Sequence, residues 1–186
     1  MPQRPFSNRD ALLLVDVQND FFPGGALPVP DGDAIIPVVN AWIDAAQKAR
    51  LPILASRDWH PRHHPSFTDA GGPWPIHCLQ DTPGAAFHTH LALPEEAVVI
   101  SKGTRFDRDQ YSAFDETGLA ALLDRLGVRR LWIAGLALDV CVEASARDAC
   151  EAGYETRLIA AATRPVTPDG GERAQARLAA AGVPLV

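Results

Sequence analysis

Cys141, Asp16 and Lys102 are residue types that together could cleave an acyl bond, although they lie far apart along the chain. A thiol that attacks a carbonyl carbon needs a base to take its proton and donors to hold the resulting oxyanion. Cys141 ends "GLALDVC" and opens a helical pattern, where free backbone N–H groups and the positive end of the helix dipole lower a thiol pKa. Asp16 suits the base if desolvation raises its own pKa, and Lys102 would hold the pair together and balance charge.

A second constellation is Asp58, His60 and His64 in "RDWHPRHH", with His77 in "WPIHC". Carboxylate and imidazole donors suit a divalent ion such as zinc, iron or manganese, and a site that spares thiolates keeps positions open for water or substrate. His63 reads as a solvent-facing neighbour; His88 and His90 take no role. Cys78 follows His77 but sits in a long loop away from any predicted helix start, so it reads as packing. Cys150 falls on the apolar side of its helix and reads as core. Each residue also has a plainer reading. Strand-end carboxylates and lysines are often solvated, free cysteines are often buried, and the histidines could form a structural zinc knot.

The elements that would bring these residues together are visible as continuous apolar runs at 11–15, 52–56, 97–101, 130–135, 156–161 and 183–186. Uninterrupted hydrophobicity of that length is what a parallel strand covered on both faces shows. Helical patterns alternate with them: 33–49, with Asp33 as N-cap, and three more that stop at Gly127, Gly153 and Gly182. The alternation predicts a doubly wound α/β fold, a mainly parallel six-stranded sheet with helices on both faces, as one domain over 1–186. Ligands bind such sheets beyond the carboxyl ends of the strands, which is where Asp16, Asp58, Lys102 and Cys141 fall. The stretch from Arg57 to Glu96 is too long for an ordinary connection, which marks it as functional.

Composition narrows the class. With 47% apolar and 22% charged residues, a net charge of -6 and no basic stripe, the chain predicts a small-molecule enzyme with no nucleic-acid or membrane partner. No apolar run approaches the roughly 20 residues of a membrane span, and "MPQRPFSNRD" lacks a signal-like apolar stretch. The cytoplasm is therefore the default compartment, and three cysteines, which cannot all pair within one chain, read as reduced thiols. A homo-oligomer is compatible with all of this.

Taken together, the motifs resemble the cysteine hydrolases of the isochorismatase-like superfamily, and within it the nicotinamidases. "LLLVDVQNDFFPGGAL" resembles the motif of the catalytic carboxylate (Asp16), "ISKGTRFDRDQYSAF" that of the lysine (Lys102) and "GLALDVCVEASARDA" that of the nucleophile (Cys141). "SRDWHPRHHPSF" and "WPIHCLQDTPGA" resemble the segments of the metal ligands, here Asp58, His60, His64 and His77. The first three motifs are shared with isochorismatases, ureidoacrylate amidohydrolases and N-carbamoylsarcosine amidases; the metal cluster singles out the nicotinamidase branch.

The resemblance implies hydrolysis of nicotinamide to nicotinate and ammonia through a thioester, in NAD salvage, with pyrazinamide as a second substrate. It also implies an oxyanion hole from the N–H groups of Ala137 and Cys141, after a cis Leu136–Ala137 peptide, and one divalent ion, zinc before iron or manganese, receiving the pyridine nitrogen. Phe21 and Trp74 match aromatic positions that wall the ring. Two positions depart from the usual pattern: Leu138 stands where threonine is common, and Gln110 where serine is common. Rival readings are another hydrolase of the superfamily, a binding module without turnover, and a protein folded around structural zinc.

Overall fold

The structure is a computed structural model and describes residues 6–186. Five strands, β1 (Asp10–Val15), β2 (Ile53–Asp58), β3 (Val98–Lys102), β4 (Arg130–Leu136) and β5 (Glu155–Arg164), form a parallel sheet in the order β3-β2-β1-β4-β5. The predicted sixth strand is a correction. Residues 183–186 lie along the outer edge of β5 and exchange backbone hydrogen bonds with it, but make a single parallel bridge, Leu158 to Leu185, which is too little ladder for a strand.

Four helices cover the sheet: α1 (Ile36–Lys48), α2 (Leu119–Arg125), α3 (Glu143–Glu151) and α4 (Pro168–Ala180). The apolar run of β1 is continuous because it feeds two cores. Leu12 and Leu14 pack with α1 residues Val39, Trp42 and Ile43 on one face, while Ala11, Leu13 and Val15 pack with α2, α3 and α4 on the other. Asp33 does not cap α1. It lies inside a 3-10 turn, Gly32–Ile35, and α1 begins at Ile36 because Pro37 is tolerated only in a first turn. Thr167 caps α4 by accepting from the Gly170 N–H. Cys150 is half-buried at the margin of the second core.

The sheet order reverses between β1 and β4, since β2 and β3 build outward on one side and β5 on the other. A crevice therefore opens above the carboxyl ends of β1 and β4. Gly135, at φ +122° in β4, is required there because a Cβ would strike the backbone of Val15 on the neighbouring strand. Residues 59–97 run over this edge with only two 3-10 turns, Thr68–Ala70 and Pro83–Ala85, and isolated bridges that tie Gln18 to Phe87, His60 to Leu79 and Phe67 to Trp74.

Candidate active site

Three strand ends and one turn converge on a buried ammonium. Asp58 and Lys102 are paired across β2 and β3, so their side chains leave the sheet on the same face, and Asp16 follows β1 in a left-handed conformation (φ 49°). Lys102 Nζ, fully buried, lies 2.8 Å from Asp16 Oδ2, 2.6 Å from Asp58 Oδ1 and 3.3 Å from Cys141 Sγ, with the Gln110 carbonyl at 3.4 Å. Burial disfavours the ammonium, but the Asp16 and Asp58 carboxylates outweigh it and hold the Lys102 pKa well above the lysine range.

Asp16 is oriented by Ser56, whose hydroxyl donates to Oδ1 at 2.6 Å. Its other oxygen, Oδ2, pairs with Lys102, and the carboxylate lies within 4.8 Å of the Cys141 sulfur. Burial raises the Asp16 pKa against the pull of Lys102, a direction that suits a base. The thiol corrects the expectation drawn from its helix. Cys141 lies within a π-helical turn, Leu138–Val142, before α3, and burial together with Asp16 and Asp58 pushes its pKa well up despite Lys102. A thiol with a raised pKa favours its protonated form and would need a base close by before it could attack.

Beside this centre Asp58 Oδ2 approaches His60 Nε2 (3.7 Å) and His77 Nε2 (3.9 Å), and the three donors form a closed, buried group that fits a divalent ion. The Asp58 carboxyl feels burial, which would raise its pKa, but Lys102 and the two imidazoles overcome this and hold it far below the carboxylate range. His64 belongs to a second group, with His60 and Asp109, that shares His60 with the first. Its Nε2 is buried with no hydrogen-bond partner among the described residues while Nδ1 meets Ser66 Oγ at 2.7 Å, an arrangement that leaves Nε2 open to a cation. Burial, with a smaller push from His60, takes its pKa down to about 4, which keeps it neutral and able to ligate.

Each imidazole has its other nitrogen fixed. His60 Nδ1 meets the Gly103 carbonyl at 2.9 Å and His77 Nδ1 the Pro75 carbonyl at 2.7 Å. Gly103, at φ +65°, admits no side chain because a Cβ would run into the His60 ring. Phe67, fully buried, sits under all three rings at centroid separations of 5.4 to 5.7 Å.

A pocket of about 470 Å³ joins the two centres, lined by Cys141, Ala137, Asp58, His77, Phe21 and Trp74 among others. The peptide between Leu136 and Ala137 is cis. Phe21 lies 5.7 Å from the His77 ring. Trp74 Nε1 donates to Tyr111 Oη at 3.0 Å, linking the 59–97 stretch to the segment after β3 across the pocket wall. Leu138 is absent from that lining: it is buried in the second core, near Gly171 of α4. Gln110 is buried too, and its side chain joins the Thr104 N–H to the Asp115 carbonyl within its own loop. His63 and His90 are exposed and His88 packs on Phe22. Cys78 is fully buried, and burial drives its thiol pKa far up, as its packing role requires.

Sequence reasoning missed Asp109, Gln18, Asp20, Ser56, Phe67 and Tyr111. Asp109 and Tyr111 follow Lys102 closely, and Gln18 and Asp20 follow Asp16 at alternate positions. That proximity was the available signal.

The isochorismatase domain family matches residues 10–186 of this chain. The chain is 37% identical to the nicotinamidase of Escherichia coli K12, covering 94% of this chain and 93% of that protein. Among solved structures it is similar to the pyrazinamidase of Pyrococcus horikoshii in complex with zinc (48% identity, 96% and 98% of the two chains, TM-score 0.93). It is similar as well to PnC1 from L. infantum in complex with nicotinate (38% identity, 97% and 93% of the two chains, TM-score 0.91).

Proposed function

This chain belongs to the isochorismatase family, and from that premise we propose that it is a nicotinamidase, hydrolysing nicotinamide to nicotinate and ammonia. The observation that carries the reading is the single pocket onto which Cys141 and the donors Asp58 and His77 both open, walled by Phe21 and Trp74. A hydrolase needs only the thiol centre; a flat ring with a nitrogen meta to its carboxamide is what uses both ends.

In this mechanism Cys141 Sγ attacks the carboxamide carbon while the Asp16 carboxylate, within 4.8 Å of that sulfur, takes the thiol proton. The oxyanion is received by the backbone N–H groups of Ala137 and Cys141. Asp16 then gives its proton to the departing nitrogen, which leaves as ammonia, and the acyl group remains on sulfur as a thioester. A water that loses a proton to Asp16 attacks the thioester carbon, nicotinate forms, and the thiol recovers its proton. Lys102 holds Asp16 and Cys141 in register throughout and stabilises whichever of them is charged. Asp58, His60 and His77, with His64 and Asp109 beside them, would hold a divalent ion, zinc in our reading. When bound, the ion supplies an electrophile for the pyridine nitrogen and so orients the ring.

Pyrazinamide offers the same ring nitrogen and carboxamide and is assigned as a second substrate. A cytoplasmic enzyme fits the three free thiols and the lack, among the described residues, of any helix long and apolar enough to cross a membrane. The test is ammonia release from nicotinamide, with and without a chelator: release that the chelator suppresses and zinc restores is expected, and no release would defeat the proposal.

A further inference from the structure

The segment Asp16–Asp20 serves both centres. Gln18, fully buried, turns its amide to the backbone of Asp58: Oε1 accepts from the Asp58 N–H at 2.7 Å, and Nε2 donates to the Asp58 carbonyl at 2.7 Å and to the Ala85 carbonyl at 2.9 Å. It thereby does for the end of β2 what a further residue of β1 would have done, after the chain has turned away at Asp16. Two residues on, Asp20 Oδ2 accepts from the Cys78 N–H at 2.7 Å, and Oδ1 from the Ala26 N–H at 3.1 Å. Cys78 adjoins His77, and its carbonyl accepts from the His60 N–H at 2.9 Å. It also holds a left-handed conformation (φ 45°) that a non-glycine residue keeps only when its surroundings enforce it.

We propose that Gln18 and Asp20 are positioning residues that set the affinity of the Asp58–His60–His77 cluster for a divalent ion. Gln18 acts on the first ligand and Asp20 on the other two. Neither side chain is offered as a ligand; the effect runs through the backbone that carries the ligands. The inference rests on the metal reading above.

The test uses the full chain freed of metal and measures zinc affinity by competition with a chromogenic chelator, in the parent protein, in Gln18→Met and in Asp20→Asn. Methionine keeps the length of glutamine without its hydrogen bonds, and asparagine, with one acceptor oxygen in place of two, can satisfy only one of the Cys78 and Ala26 N–H groups. Loss of such supporting contacts is expected to weaken zinc by about 10- to 100-fold in each variant. Zinc in excess should then return nicotinamide turnover to within about threefold of the parent, because the thiol centre is intact. Affinities within about twofold of the parent would overturn the inference, as would lost turnover that excess zinc does not restore. If Gln18→Met fails to fold, Asp20→Asn, whose site is only half-buried, decides alone. A parent protein that takes up no zinc would bring down the metal reading, and this inference with it; zinc uptake by the parent but no sensitivity in the variants would bring down the inference only.

Discussion

At the thiol centre every functional side chain leaves the end of a strand or the turn after it: Asp16 after β1, Lys102 at the last position of β3, Cys141 after β4. In the carboxylate and histidine cluster only Asp58 has that footing, and His60, His64 and His77 hang on a stretch whose regular structure amounts to two 3-10 turns. The strand ends need little further support because parallel pairing already sets their spacing. The loop histidines need it one by one, from Gly103, Ser66, Pro75, Asp20 and the floor of Phe67. Precision inherited from a sheet resists local change; precision assembled from separate contacts can be lost a contact at a time.

The comparison can be broken hardest at the thiol. Cys141→Ala should cut ammonia release by at least about a thousandfold while zinc binding and nicotinamide binding persist, since truncation removes the attacking atom and little else. Measured zinc content that fell with the thiol would show the centres to be one unit. Next in size, His60→Ala should reduce bound zinc by elemental analysis and raise KM by about 10- to 100-fold, with the thiol still open to alkylation.

Gly103→Ala sharpens the contrast, because it removes no functional group. The added Cβ meets the His60 ring and a positive φ, so a loss of about 1 to 3 kcal/mol in stability and weaker zinc binding are expected, read by thermal melting and chelator competition. Alkylation of Cys141 by iodoacetamide should be slow at neutral pH and keep rising past pH 9. The thiol pKa lies above its usual value, so the thiolate appears only as pH climbs through that raised value; a plateau near pH 7 would contradict this. The smallest effect belongs to Tyr111→Phe, which removes the acceptor for Trp74 on a half-exposed wall and should raise KM by about two- to fivefold with kcat unchanged.

Much of this was legible in the chain before any coordinates. Runs such as "ALLLV" and "RLWIAG" could only be strands covered on both faces, and the residues after them had to share one edge. The short C-terminal run misled because hydrophobicity reports burial and not ladder length: Val183 is core, yet the residues after it make one bridge. Asp33 misled because capping residues also favour 3-10 turns, and Pro37 set the helix start instead.

Residue type and order determined by themselves that a thiol, a carboxylate and an ammonium would meet at the sheet edge, with a carboxylate and histidine set close by. Those facts follow from strand periodicity and donor chemistry, which are local properties of a sequence. Only the tertiary structure decided that Lys102 bridges the two centres through Asp16 and Asp58, that burial raises the thiol pKa, that His64 and Asp109 form a second group joined to the first through His60, and that Gln18 and Asp20 hydrogen-bond to the backbone of Asp58 and Cys78. Each of these depends on a distance between segments remote in sequence or on how deeply a charge is buried. Neither quantity exists until the chain has closed on itself.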